Sequence, residues 1–338
     1  MDLNTIWFIL VGVLFAGYAI LDGFDLGVGM LQIRLKDDKE RRICYNAIGP
    51  VWDGNEVWLV TGGGALFAAF PEVYATVFSG FYSAFIALLF ALIFRAIAIE
   101  FRSKETWNWW RKMWDCGFFF GSFTASFLIG VAMGNITWGI PLDADFEYTG
   151  GFFDLLHPYT LWMGVTTVLL FLMHGSIYLV LKAEGELQQK VRGWINPLII
   201  AFIISYAILT LATILYVPHM TEALKAQPVL FLIAVLLILA IANIPREIHH
   251  SREFRAFLSS CATMVLLMAL FGLGMFPNMV YSMPETANSL TAYNGASTQK
   301  TLRIMFIIAI IGVPVVLSYT ACIYWIFRGK VKLNKDSY

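Results

Sequence analysis

Long apolar runs recur along the chain and constrain its fold more than any other feature of the sequence. A helix needs about 20 mostly apolar residues to cross a bilayer. Such runs lie at roughly 6–31, 51–70, 76–99, 115–137, 157–181, 195–217, 228–245, 255–276 and 303–327. They lack the alternation of barrel strands, and backbone groups in lipid must be paired internally. We therefore predict an all-α polytopic membrane protein with about nine transmembrane helices.

Charge is balanced in total but not along the chain. Lys and Arg together number 23, as do Asp and Glu, so net charge predicts neither a nucleic acid partner nor an acidic substrate. Nearly all basic residues lie in every second connection or in the tail; the exceptions are Lys225, Lys300, Arg303 and Arg95. The positive-inside rule then places the N-terminus outside and the C-terminus in the cytoplasm. The first run lacks a basic leader and a cleavage pattern, and we expect it to remain as a span.

Two carboxylates, Asp22 and Asp25, lie at membrane depth in the first span. A charged side chain at the centre of an inserted helix costs on the order of 3 kcal/mol, so such acids normally face a bundle interior, a partner or a water path. The two acids share a helix face, and Gly23 and Gly27 leave a flat strip for a neighbouring helix. We expect this span to be packed on several sides, with its acids turned inward.

Further acids border the spans on the same side of the predicted membrane. Asp53 and Glu56 open the second span, Glu100 closes the third, and Asp115 opens the fourth. Asp53, Glu56 and Asp115 also suit helix N-termini, where the macrodipole favours an anion, so capping and proton transfer both stay open for these three. For Asp22 the intramembrane position favours a function, and proton movement is a natural role for a desolvated carboxyl group.

Other polar features favour packing. Residues 62–64, Gly-Gly-Gly, lack the Lys-Ser/Thr of a phosphate loop and are expected to let a neighbouring helix or a flat cofactor approach, with helix packing the favoured interpretation. His174 is the one histidine well inside a span, so ligation of haem by two buried histidines is unsupported, while a His and Met pair stays open. A hydrogen bond between helices is the better interpretation of His174. The four cysteines form no metal- or redox-type pair, and we predict no metal site.

Several long motifs resemble subunit II of the cytochrome bd-type quinol oxidases of bacteria and archaea. They include Leu-Asp-Gly-Phe-Asp-Leu-Gly-Val-Gly-Met at 21–30, Gly-Pro-Val-Trp-Asp-Gly-Asn-Glu-Val-Trp at 49–58, and the stretches 62–71, 78–82, 101–104 and 114–115. The first 135 residues match closely and in order. Beyond them the likeness rests on span layout and on short pieces at 173–175 and 184–187.

This resemblance implies one transmembrane domain of nine helices, as two four-helix bundles plus one peripheral helix, in the cell membrane of a prokaryote. The first bundle would lie within about 1–137, the second bundle and the peripheral helix within about 157–327, and a short cytoplasmic tail over 328–338. The outer connections 138–156 and 277–302 are too short for a separate domain.

The resemblance also implies that the two subunits of the oxidase have different roles. A haem-bearing subunit I would carry haem b, haem d and the outward-facing quinol site, where electrons from quinol reduce dioxygen to water. This chain would be its haem-free partner, with no catalytic residue of its own. Some members add a small single-helix accessory subunit or hold a structural quinone in this subunit. Membrane lipid and quinone are therefore expected partners, and no cofactor-binding residue is assigned to this chain.

By motif, Asp22 and Asp53 match acids assigned to a proton path from the cytoplasm towards the haems, and Glu100 matches an acidic position near that path. Glu56 is a further candidate, and Asp25 is a weaker one that we expect to be only solvated or hydrogen-bonded.

One departure from the family concerns Val51. Some members have His at this position, before Trp-Asp-Gly-Asn, and valine cannot carry a proton. Either Asp53 and Glu56 suffice for the path, or the path is altered or unused in this subunit.

Two other functions stay open on the sequence. This subunit is a scaffold if its acids serve only packing or assembly. It is a proton-coupled transporter if acid-bearing, broken helices recur in matching positions of two halves. Such features stand out only in the first half of this sequence.

Overall fold

The computed structural model describes residues 1–333, and almost all regular structure in that range is helical. In chain order, the α-helices are α1 (Leu3–Leu31), α2 (Asp38–Ile48), α3 (Trp52–Ala69), α4 (Pro71–Gly80), α5 (Tyr82–Phe101), α6 (Asn108–Trp138), α7 (Pro158–Lys182), α8 (Gly185–Tyr216), α9 (His219–Ala226), α10 (Phe231–His249), α11 (Glu253–Met275) and α12 (Gln299–Ile326). Two short strands, β1 (Asn278–Val280) and β2 (Leu290–Thr291), pair antiparallel. The prediction of an all-α fold is confirmed.

Eight helices within residues 1–333 are long and apolar enough to cross a membrane: α1, α5, α6, α7, α8, α10, α11 and α12. The second predicted span, 51–70, is the 18-residue helix α3. Its first turns carry Asp53, Asn55 and Glu56, and these polar side chains keep it outside that apolar set. Because α3 packs along α1, it still belongs to the helical core of the molecule.

Several predicted boundaries differ from the structure. The third predicted span, 76–99, begins inside α4, a separate helix with Pro71 in its first turn, and α5 begins only at Tyr82. Proline fixes a backbone angle that suits a helix start, which explains the new helix after α3. In contrast, α6 and α8 begin well before the predicted starts at 115 and 195. An apolar window detects the part of a helix that suits lipid, whereas these helices continue into polar sequence.

The helices pack as two groups that meet where α7 lies against both α6 and α1. In the first group α1 contacts α3 and α6, and α5 packs on α6; in the second, α7 contacts α8 and α11, and α10 packs on α11. Helix α12 lies against α1 and α3, and Leu302 is its one buried residue.

Close contact between α1 and α7 depends on two glycines. A Cβ atom added to Gly27 would lie 2.0 Å from the carbonyl oxygen of Phe171, and one added to Gly175 would lie 2.6 Å from Gly27. Beside this contact, His174 is hydrogen-bonded to the Ser260 hydroxyl of α11 at 2.8 Å and to the Ile20 carbonyl of α1 at 2.9 Å. The predictions of a flat glycine strip and of an interhelical hydrogen bond at His174 are both confirmed.

The second predicted glycine contact, at residues 62–64, is present only in part. A Cβ atom on Gly62 would meet the Phe15 ring at 3.1 Å, but Gly63 and Gly64 have no neighbouring heavy atom within 4 Å of that position. Within residues 1–333 no helix of this chain packs on Gly63 or Gly64, so for these two residues the predicted contact stays a prediction. They leave an open strip on α3.

The connections 138–156 and 277–302 cover one end of the bundle together. The Ile140 amide donates to the Tyr281 carbonyl, and the Met283 amide donates to the Ile140 carbonyl, both at 3.0 Å. Most Lys and Arg residues lie at the other end, around α2, the start of α6 and the start of α11, and we call this the basic end.

From the close contact between α1 and α7 we predict how glycine substitutions change thermal stability. Gly27→Ala should lower the free energy of unfolding by about 1–3 kcal/mol, because the added methyl group overlaps the backbone of α7. Gly12→Ala in the same helix is the matched control, since its Cβ would have no heavy atom within 4 Å. It should be neutral or slightly stabilising. Thermal unfolding of the detergent-solubilised protein measures both, and equal melting temperatures would contradict this account of the contact.

Candidate functional site

A buried charge cluster lies where α1, α3 and α5 meet, and it consists of Asp22, Asp25, Asn55, Glu56 and Arg95. Asp22, Asp25 and Arg95 have no exposed surface in this chain. The inward orientation predicted for the two acids of α1 is confirmed.

Asp22 and Arg95 form the core of this cluster. Nη1 of Arg95 donates to Oδ2 of Asp22 at 2.7 Å, and Nη2 donates to Oδ1. The planar guanidinium fits a carboxylate through two parallel hydrogen bonds, which makes such pairs stronger and more directional than a lysine pair. Asp22 is therefore held as the counter-ion of Arg95 in the interior of the protein.

Asp25 is bonded less completely than Asp22. Nδ2 of Asn55 donates to Oδ2 of Asp25 at 2.7 Å, and Nη2 of Arg95 lies 4.0 Å from the same oxygen. Oδ1 of Asp25 has no hydrogen-bond partner among residues 1–333. The expectation that Asp25 is solvated is wrong, because α1 continues inside the bundle past this residue; its other expected state, a hydrogen-bonded acid, is the one observed.

Asn55 joins the cluster to a distant part of the chain. Its Nδ2 also donates to the Leu21 carbonyl at 3.1 Å, and its Oδ1 accepts a hydrogen bond from the Tyr324 hydroxyl of α12 at 2.8 Å. This one amide therefore links α1, α3 and α12. Asn55 and Tyr324 are uncharged, and no pattern in the sequence marks either as part of the cluster.

Glu56 lies at the edge of the cluster. Its Oε1 is 3.4 Å from Nη1 of Arg95, and 22% of its side chain is exposed. Asp53, nearly one turn earlier, is on the exposed face of α3 with Val57 and Val60. The structure thus brings Asp22, Asp25 and Glu56 together, but it leaves Asp53 on the adjoining surface.

Asp115 belongs to a second group of charges at the basic end. It accepts hydrogen bonds from Arg41 at 2.6 Å, from Nε of Arg102 at 2.6 Å and from the Tyr45 hydroxyl at 3.2 Å. Arg102 also pairs with Asp38 at 2.7 Å. Because α6 begins at Asn108, Asp115 lies about two turns inside the helix, and its interpretation as a helix-capping acid is wrong. Its ion pairs connect α2, α6 and the end of α5.

The remaining acids differ in position. Asp53 is in the first turn of α3, so the capping interpretation fits its place in the helix, whereas Glu56 lies beyond that turn. Glu100 is half-buried near the end of α5. Within residues 1–333, no three His, Cys, Asp or Glu side chains are grouped closely enough to hold a metal ion.

Comparison with known proteins gives consistent matches over nearly the whole chain. Residues 3–327 match the family described as cytochrome bd terminal oxidase subunit II. The chain is 37% identical over 366 aligned residues to the cytochrome bd-I ubiquinol oxidase subunit 2 of Escherichia coli (strain K12), covering 97% of this chain and 95% of the relative. It is 36% identical over 333 residues to the cytochrome bd ubiquinol oxidase subunit 2 of Bacillus subtilis (strain 168), covering 98% and 97%.

Solved structures include a similar fold. A chain of the bd oxidase from Geobacillus thermodenitrificans aligns with a TM-score of 0.80 at 15% identity, covering 97% of this chain and 99% of that one. At this low identity the match shows a shared fold.

The buried ion pair makes a prediction for stability. Asp22→Asn and Arg95→Gln should each lower the free energy of unfolding by about 3–5 kcal/mol, because each removes the bidentate partner of a buried charge. The double variant should lose less than the sum of the two, as expected for residues in direct contact.

The matched control is Asp53→Asn, which changes an exposed acid and should alter stability by less than about 0.5 kcal/mol. Thermal unfolding and the yield of folded protein measure all four variants. If Asp22→Asn unfolds at the same temperature as Asp53→Asn, the pair does not stabilise the fold.

Proposed function

The chain belongs to the cytochrome bd terminal oxidase subunit II family, and on that basis we propose that it conducts protons along α3 for its partner subunit. As a member it is a multi-pass cell membrane protein and one subunit of a quinol:oxygen oxidoreductase of the respiratory chain. Its family implies a subunit I as partner, and the oxidase holds its haem in that subunit.

We place both haem b and haem d in the partner, and His174 supports this assignment. The two ring nitrogens of this buried histidine are taken by Ser260 and by the Ile20 carbonyl. His174 is therefore not available to ligate a haem iron, with or without a methionine. The role left to this chain is to support the haem subunit and to supply protons.

The proposed orientation places the basic end in the cytoplasm, with the N-terminus outside. Clusters of Arg and Lys at α2, at α6 and at the start of α11 support it through the positive-inside rule. Glu56 and Asp53 then lie in the cytoplasmic half of the membrane, since α3 begins at the basic end. Protons drawn from the cytoplasm meet these acids first.

The main support for the proposed proton route is the position of Glu56 at the edge of the buried charge cluster. Its carboxylate contacts Arg95 of the buried charge cluster on one side and is partly exposed on the other, next to Asp53. An acid exposed within a span is costly in lipid and favourable against a protein or a water path. We infer that this face of α3, including the open strip at Gly63 and Gly64, lies against the haem-bearing subunit and that Asp53 and Glu56 pass protons along it.

In this proposal, Asp22 and Arg95 set the charge of the cluster. Arginine stays protonated in proteins, and its guanidinium supplies the positive charge that faces the Asp22 carboxylate through two hydrogen bonds. A second ionised carboxylate would leave the buried group with a net negative charge, which is costly away from water. We therefore propose that Asp25 carries a proton, with its unpaired Oδ1 as the hydroxyl. Glu100, half-buried near the end of α5, is a further candidate for the route.

A scaffold role is the second candidate function, and the ion pairs favour it for particular residues. Asp115 accepts four hydrogen bonds, from Arg41, from Tyr45 and from two nitrogens of Arg102, so both of its oxygens are occupied. Asp22 is likewise held by Arg95. We assign stabilisation to Asp115 and charge compensation to Asp22, and we reserve proton transfer for Asp53 and Glu56, with Asp25 as a proton store.

The proposed proton route does not depend on Val51. This residue precedes α3, it is almost wholly buried, and it cannot carry a proton. Entry of protons through Asp53 does not need a protonatable side chain at position 51, because Asp53 is exposed.

The family resemblance adds two further partners to the proposal, a single-helix accessory subunit and a structural quinone. The exposed apolar surfaces of α6 and α10 could contact such partners or lipid.

The proton route predicts a loss of turnover without a loss of assembly. In the complex with subunit I, Glu56→Gln and Asp53→Asn should each slow quinol-dependent oxygen uptake by about tenfold to a hundredfold, since an amide cannot relay a proton. Glu186→Gln, an exposed acid near the start of α8, is the matched control and should leave the rate unchanged. Normal haem absorbance would show that each complex is assembled. Unchanged rates in both Glu56→Gln and Asp53→Asn would refute the route.

The protonation of Asp25 is tested by infrared spectroscopy of the same complex. A carboxylic acid C=O band, shifted by exchange into D₂O, should be present in the unmodified protein and absent in Asp25→Asn. In Asp22→Asn the band should be lost, because Asp25 then becomes the carboxylate that balances Arg95. Glu186→Gln, which changes an exposed acid, is the control and should keep the band. If Asp25→Asn leaves the spectrum unchanged, Asp25 is ionised and the charge balance is different.

A further inference from the structure

A cavity of about 430 Å³ that is widely open to the surface lies at the basic end, away from the buried charge cluster. It is lined by Leu181 of α7, by residues 252–255 at the start of α11, and by Gly329 and Lys330 after α12. Three separate segments of the chain therefore meet around it. None of these residues takes part in the proton route.

The wall formed by residues 329–331 is held in place by hydrogen bonds to α7. The Val331 amide donates to the Lys182 carbonyl at 2.9 Å, and Nζ of Lys330 donates to the Val180 carbonyl at 3.1 Å. In return, Nζ of Lys182 donates to the Phe327 carbonyl at the end of α12. The cavity is thus a built feature of the fold at this end of the bundle.

Cationic side chains in the cavity exceed the anionic ones. Arg252, Arg255 and Lys330 line it, and its one carboxylate, Glu253, is paired with Arg192. Arg252 reaches a carboxylate oxygen of Glu247 only at 3.9 Å. The side chain of Arg255 makes no hydrogen bond or ion pair with any residue in 1–333. The cavity therefore has unused guanidinium donors, which favour a phosphate group.

Apolar surface adjoins these cations. Phe254 is 61% exposed and lies between Arg252 and Arg255 in the sequence. The apolar helix α11 begins at the same point. A ligand that satisfies both surfaces carries an anionic head and an apolar body. Basic pockets between transmembrane helices at the membrane boundary have this composition when they bind anionic lipid head groups.

We infer that this cavity binds the phosphate of an anionic phospholipid, with Arg252, Arg255 and Lys330 around the head group and Phe254 against its glycerol or acyl chains. The bound lipid would tie the chain after α12 to α7 and α11. Because the site is separate from Asp53 and Glu56, its loss should leave the proton route intact. The inference depends on the chain crossing a membrane, and it holds for either orientation of the termini.

The test counts lipids bound to the purified complex with subunit I by native mass spectrometry, after delipidation in detergent. Phosphatidylglycerol, an anionic phosphodiester, is added to the unmodified complex and to Arg252→Gln/Arg255→Gln. The variant should bind one phosphatidylglycerol fewer per complex, or bind it about tenfold more weakly. Lys36→Gln/Lys39→Gln, which removes two exposed charges elsewhere at the basic end, should bind as the unmodified complex does.

Other outcomes would overturn the inference. Equal phosphatidylglycerol binding by both double variants would show that the cavity is not the site. Equal binding of phosphatidylcholine at the Arg252 and Arg255 site would show that net anionic charge is not recognised. Displacement of the lipid by millimolar inorganic phosphate would identify a site for free phosphate. If the double variant fails to assemble, as judged by haem absorbance, Arg255→Gln alone decides, because this side chain has no partner to lose.

Discussion

A guanidinium and two carboxylates, all without exposed surface, lie between α1, α3 and α5. Such charges are costly to bury, and their mutual attraction offsets that cost only when the geometry is good and the remaining polar atoms are bonded. Arg95 and Asp22 meet the geometric part of this condition through two hydrogen bonds, whereas Nε of Arg95 and Oδ1 of Asp25 have no hydrogen-bond partner among residues 1–333. The pair joins α1 to α5, and Asn55 and Glu56 of α3 complete the cluster, so three helices meet at one point with these side chains facing inward.

Close backbone packing makes that arrangement stable. Gly27 and Gly175 let α1 and α7 approach until their backbones touch, and His174 bonds both α1 and α11 beside this contact. Helix α1 is thereby fixed on one side by the second group of helices and on the other by the charge cluster. Small residues at such contacts supply van der Waals packing where no hydrophobic driving force separates helix from lipid.

The acids of the molecule divide into two kinds because of the cations around them. Asp22 and Asp115 are saturated by arginines, so they serve the fold first. Glu56 and Asp53 are less constrained and lie at the boundary between the interior and the open face of α3. Proton transfer needs a group that can bind and release a proton without collapsing the structure, and the boundary position is where that requirement is met.

The sequence by itself determined the membrane-spanning, all-helical class and the presence of inward acids in α1. It also determined the number of long apolar helices, with α3 as the one exception. It could do so because lipid allows few backbone structures and penalises exposed charge, and both rules act on local composition. The family, too, was evident from ordered motifs in the first 135 residues. Only the tertiary structure decided which cation each acid meets: Arg95 for Asp22, and Arg41 with Arg102 for Asp115. Those partners are 73, 74 and 13 residues away in sequence. Helix rotation and packing bring them together, and the composition of a single span determines neither.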